Sequence, residues 1–339
     1  MKFFLILFLI VGLCACNRTS GLFKNSKQTV VCEKIDIDFL IALNIELILQ
    51  DSILLLNDFK LDPMITVLNL NNNSTVSTFL QKGEGPNDCI PPVQLQRLDD
   101  SIYILERQTA VLNKFQYSMI NDGNVNLEKI WQSNNFPNTF VPLNDTVFMA
   151  TMINSKSRFV LIDKKGEDVG NFGEYPCLSP GENGYDNISK SMFHQTFLLK
   201  KRMENKIAAM ASHVLELYSY DEKYNFNLER QILFSKYEYS PSTSSDMNSI
   251  TSSENTDRGA MCFYNTDKYI YVVYNPENER LYMHPEKRKN ELWIFDWDGN
   301  PIKALLPDKD ITTIAVDEKD NYIYGVDKNC ELFRINIKI

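Results

Sequence analysis

Three histidines, His194, His213 and His284, are the only imidazoles in this 339-residue chain. Imidazole titrates near neutral pH and ligates transition metals, so three brought together could hold a metal or respond to pH. Their spacing favours independent polar loop positions, because no His-x-His or His-x-x-x-His pair is present. Gly-x-Ser-x-Gly, His-Glu-x-x-His and Cys-x-x-Cys are also absent, so no nucleophile elbow, metalloprotease helix or paired-thiol motif is written in the chain. A net charge of −9 makes the chain a poor candidate for binding nucleic acid.

One covalent site is specified by spacing. The chain opens MKFFLILFLIVGLCAC, with Lys2 followed by an apolar run and small residues. That is a secretory signal, shorter than the roughly 20 residues a spanning helix needs. Leu13-Cys14-Ala15-Cys16 resembles the bacterial lipobox, so Cys16 is expected to be lipidated after removal of residues 1–15. Each buried acyl methylene contributes about 0.8 kcal/mol, which holds a protein to a membrane without a spanning helix. Residues 16–29 read as a flexible tether and 30–339 as the folded domain. The expected address is the outer membrane of a Gram-negative envelope, on its periplasmic side or surface. Five cysteines then remain, Cys32, Cys89, Cys177, Cys262 and Cys330, an odd number at wide spacing. They suit small buried hydrophobes better than a zinc site or a disulfide framework.

The elements that would position a site repeat along the chain. DSILLLND from Asp51, DSIYILER from Asp100, DTVFMATM from Asp145, NKIAAMAS from Asn205, DKYIYVVY from Asp267 and DNYIYGVD from Asp320 begin 49, 45, 60, 62 and 53 residues apart. Each is a turn residue before a β-rich run, and each is followed by a second such run. A tight turn then comes in most units, Asp122-Gly123 and Asp298-Gly299 being hairpin signals. Four antiparallel strands per unit in six units make an all-β, six-bladed propeller. The last unit supplies only three strands. EKIDIDF, Glu33 to Phe39, has the alternation to complete it, closing the ring with an N-terminal strand paired to the last run. In that pairing Cys32 and Cys330 fall at opposite ends and form no bridge.

The sequence resembles the six-bladed TolB-like (NHL-like) propeller lipoproteins of Bacteroidetes. The most specific element is QKGEGPND, residues 81–88, similar to a G-x-G-P-x-[DE] segment after the first blade, with Cys89 where an aromatic or aliphatic residue is usual. Read from its residues, this is a blade-to-blade turn in which Gly83 and Gly85 allow positive φ and Asp88 bonds local amides. The resemblance implies the fold and the envelope location rather than an activity.

Loops between outer and next inner strands, and between second and third strands, share one face of such a propeller. That face should carry 172–193, 235–257 and 275–290, with only short turns opposite. The function expected is binding or scaffolding, with a protein, peptide or glycan recognised through these loops. Tyr185, Tyr239, Arg280 and Tyr282 are the candidate contacts, and the Ser/Thr-rich 235–257 stretch a candidate flap. Glu46, Gln94, Asn138, His194, Gln195 and Arg258 should ring the channel mouth. A calcium-dependent hydrolase or lactonase there is the alternative, but only Glu46 among them is a carboxyl ligand and Arg258 would oppose a cation. No cofactor is expected otherwise. Trp293, Phe295 and Trp297 alternate on one strand and are expected to pack between blades.

Overall fold

A computed structural model describes residues 22–23, 26–42, 46–123, 125–153, 157–244, 247–278 and 289–339. Six four-stranded antiparallel units stand around a central axis. Their innermost strands are Glu46–Gln50, Val93–Leu98, Pro137–Pro142, Phe197–Lys200, Gly259–Asn265 and Ile311–Val316, and together these line the channel. From each, the chain meanders outward through three further strands, as in Glu46–Gln50, Ile53–Asn57, Ile65–Asn69 and Ser74–Phe79 of the first blade.

The second strands explain the apolar runs. Leu54, Leu55 and Leu56 are consecutive yet all buried, because both faces of a blade are covered by its neighbours. A strand buried on both faces needs no polar alternation, and each buried leucine contributes about 1.5–3 kcal/mol. Outer strands revert to polar residues, as in Ser74–Phe79, of which only Phe79 is buried. The turn residues repeat as well. Asn69, Asp163, Asp221 and Asp296, in the first, third, fourth and fifth blades, each accept a main-chain N–H two residues on, setting the turn into the outermost strand. Trp293, Phe295 and Trp297 are buried between the fourth and fifth blades, with Trp293 stacked on Tyr274 at 3.8 Å.

Ring closure has the expected partner and a shorter pairing. Glu33–Lys34 joins the last strand, Leu332–Asn336, with Glu33 opposite Arg334 and Lys34 opposite Phe333. The Ile35 amide adds one more bond, to the Leu332 carbonyl at 2.9 Å. Beyond it the alternation of Ile35, Ile37 and Phe39 is used differently. These side chains pack with Leu47, Leu54 and Leu332 between the sixth and first blades, and Asp38 accepts a bond from Thr75 of the first blade at 2.9 Å. The segment therefore joins two blades rather than only finishing one.

The described part of the stretch expected as a tether is not flexible chain. Lys27–Val30 lies parallel to Pro301–Pro307 as a fifth strand of the fifth blade, and Phe23 is buried against Trp293 and Phe295. An aromatic ring that can reach apolar surface gains more by burial than it loses in chain freedom. Cys16 lies outside the described residues. Cys32, Cys89, Cys177, Cys262 and Cys330 are free thiols. No described helix is long and apolar enough to cross a membrane.

Candidate functional site on the loop-rich face

The GEGP turn sits where the chain passes from the first to the second blade, and its glycines serve closeness rather than positive φ. Neither Gly83 nor Gly85 lies in the left-handed region. A Cβ on Gly85 would stand 2.5 Å from the Asp88 carboxylate, and one on Gly83 2.7 Å away. The Gly85 amide donates to Asp88 Oδ2 at 3.1 Å, and Cys89 is fully buried behind it in the core.

On the same face the chain between the third and fourth blades folds inward. A one-turn 3-10 segment, Glu182–Gly184, precedes a short helix, Asn187–Phe193, whose first turn is capped by Asp186 accepting from the Ser189 amide at 2.7 Å. Glu182 is buried and saturated. It takes the Leu178 and Ser179 amides at 2.8 Å each, the Tyr237 hydroxyl at 3.0 Å and His194 Nε2 at 2.8 Å. Burial alone would raise its pKa, but the His194 and amide bonds outweigh that and hold it below the usual carboxylate range. Burial pushes His194 down, against the hydrogen bond and the charge of Glu182, which raise it. His213 is pushed down to about 4 by burial, stacks on Phe193 and Tyr237, and meets Ser235 Oγ at 3.1 Å. The two described histidines are thus buried parts of one aromatic cluster rather than separate loop groups. His284 lies outside the described residues.

Below this cluster Arg158, with no exposed surface, pairs with Glu216 and donates to Thr196 Oγ1 at 3.1 Å. Gln231 donates to the other Glu216 oxygen at 2.7 Å. Sequence reasoning missed this pair. Its signal was Glu216, the lone charge inside the apolar run VLELYSY.

The channel-mouth candidates divide into three places. Glu46 and Gln94 line the axial channel, about 300 Å³ in volume. Glu46 Oε2 accepts the Leu95 amide at 2.6 Å and Asn57 Nδ2 at 3.1 Å, and Gln94 Oε1 accepts the Phe140 amide at 3.3 Å. These side chains tie neighbouring innermost strands, which share no ladder of their own. Burial raises Glu46 to about 7, against the Leu95 and Asn57 bonds and the Arg107 charge. Asn138, His194 and Gln195 border a pit of about 10 Å³ beside Arg158. Gln195 and Arg258 belong to a third feature, an open cleft of about 1120 Å³ between the helix and the 247–252 strand, floored by Phe197 and Met261. Both floor residues reach solvent, at 36% and 40% of their surface. Calcium takes six to eight oxygens, whereas Glu46, the single carboxylate of the set at the channel, is already engaged by donors. Among the described residues no three His, Cys, Asp or Glu side chains converge on a metal position.

Of the proposed contact residues, Tyr239 is 5% exposed and stacks on Phe193 at 3.9 Å. Tyr185 meets its ring edge-on at 5.2 Å and donates to the Tyr239 carbonyl at 3.0 Å. These tyrosines hold the 239–252 hairpin onto the helix, and burial there raises the Tyr239 phenol. Arg280 and Tyr282 lie outside the described residues.

Residues 23–319 match the TolB-like 6-blade propeller-like family, and the chain belongs to it. Two solved structures are similar in fold. One is a candidate exported protein of Bacteroides fragilis, at TM-score 0.55 and 11% identity over 93% of this chain and 99% of that one. The other is a DUF4221 member from Bacteroides vulgatus, at TM-score 0.55 and 9% identity over 92% and 96%. No curated protein matches the chain.

Proposed function

We propose that this propeller is a binding or scaffolding module of a Gram-negative envelope, anchored to the outer membrane through lipidated Cys16, that captures a protein, peptide or glycan on its loop-rich face. The observation that carries this reading is the cleft. It is open, it pairs an apolar floor of Phe197 and Met261 with Gln195, Ser252, Thr256 and Arg258 on its walls, and its floor is carried by the innermost strands of the fourth and fifth blades. The engaged carboxylate at Glu46 favours this reading over the calcium-dependent hydrolase or lactonase.

The test uses the full chain in its own membranes. Met261→Arg should abolish recovery of a partner from envelope extract while leaving the melting temperature within about 2 °C, since the side chain is exposed. Equal recovery from both proteins would refute the cleft as the binding surface. Cys16→Ala should move the protein out of the membrane fraction, and retention in high salt would refute the anchor.

A further inference from the structure

Between the fourth and fifth blades the chain leaves the propeller and forms a two-stranded sheet of its own, Tyr239–Ser244 against Met247–Ser252. Its register determines which main-chain groups are already used. Tyr239 faces Ser252, Pro241 faces Ile250 and Thr243 faces Asn248. Just beyond the sheet, the Ser253 amide donates to the Glu238 carbonyl at 2.8 Å. Bonded and non-bonded pairs alternate along an antiparallel ladder. Ser240 with Thr251 and Ser242 with Ser249 are therefore bonded pairs, while the three pairs named first turn their N–H and C=O groups outward.

The two edges differ. On one, Pro241 stands at an outward position, where its missing N–H costs the hairpin nothing and obstructs a further strand. On the other, Asn248, Ile250 and Ser252 present outward N–H and C=O groups that no main-chain or side-chain bond occupies among the described residues. Ile250 and Ser252 also line the cleft, so this edge borders the apolar floor.

We propose that Met247–Ser252 is a docking edge at which an extended peptide adds as a third strand, laying alternate side chains into the cleft. The proposal rests on the reading of the loop-rich face as the binding surface and names its partner. Outward groups at every second residue recur about 6.8 Å apart along a strand, a ladder that an extended polypeptide backbone matches and a glycan does not.

The experiment pans a phage-displayed library of random 12-residue peptides against the mature chain and measures the selected sequences by calorimetry. Peptides that bind should be N-methylated one residue at a time. Strand addition predicts an alternating profile, with about tenfold loss at every second residue and little at those between, the scale of one lost hydrogen bond. Asn248→Pro should weaken binding by a similar factor, with Ser252→Pro as a second variant should the first misfold, whereas Pro241→Ala should not weaken it. A flat N-methyl profile, indifference to both proline variants, or a library with no binders would overturn the proposal. In each of those cases partner capture that is still lost in Met261→Arg leaves the loop-rich face standing, while capture indifferent to Met261→Arg removes both.

Discussion

The ring of Phe23 lies 5.3 Å from that of Trp293, and this contact joins the start of the described chain to a strand near its end. It seals an aromatic cluster that includes Phe234 and Phe295 between the fourth and fifth blades. Phe23→Ala should destabilise the protein by about 3 kcal/mol, the usual range for emptying a buried phenylalanine site. The parallel strand Lys27–Val30 should then loosen, so trypsin should cut at Lys27 faster than in wild type. Unchanged urea midpoint and cleavage rate would contradict the role assigned to this ring.

Arg158 and Glu216 test the buried pair. Arg158→Ala leaves Glu216 buried without its counter-charge and should cost about 3–5 kcal/mol. Arg158→Met with Glu216→Leu should recover most of that, because two apolar groups of similar size leave nothing uncompensated. A double mutant no better than the single one in chemical denaturation would show that the surrounding Thr196 and Gln231 bonds, rather than the charges, matter most.

Stability should follow pH through two groups with opposite signs, the half-buried Glu46 and the buried His213. Glu46 is raised to about 7, so the folded state holds its proton more tightly than the unfolded state. That contribution is complete below about pH 4.5 and is lost as pH rises through 7. Glu46→Gln should therefore gain on wild type across that window. His213 is lowered to about 4, so the unfolded state takes the proton first, and stability is lost as pH falls from about 6.5 to 4. His213→Gln should lose less than wild type on acidification. Thermal melts of the three proteins at half-unit pH intervals check both slopes.

Gly85→Ala should displace the Asp88 carboxylate and cost about 1 kcal/mol, the scale of the bond from the Gly85 amide. In Asp88→Ala the same glycine change should cost less, because the obstructing oxygen is gone. Equal costs in both backgrounds would place the constraint elsewhere.

Much of the architecture was legible because the repeat is local. An apolar second strand such as ILLLN and an Asp or Asn before the outer turn recur in most blades, so period and strand order follow from short-range patterns. Glu33 to Phe39 alternated as a strand would, but alternation only says that one face is buried, and here the burying surface is a groove between blades. Phe23 was unreadable for a related reason, since a single aromatic residue in a polar stretch carries no period. The site was less legible. Tyr185 and Tyr239 were chosen as residue types that dominate interfaces, yet the same ring area serves as core wherever an inserted hairpin must be held in place. Asn138, Gln195 and Arg258 stand at or just before strand starts, which says nothing of which neighbouring loops they share, and they border the pit and the cleft rather than the channel.

The most direct test of the account is photo-crosslinking in the native envelope, with a benzophenone side chain at Met261 in the cleft or at Asn72 in an exposed turn of the opposite face. The account predicts a discrete crosslinked partner from Met261 and none from Asn72. Crosslinking from Asn72 with none from Met261 would contradict it.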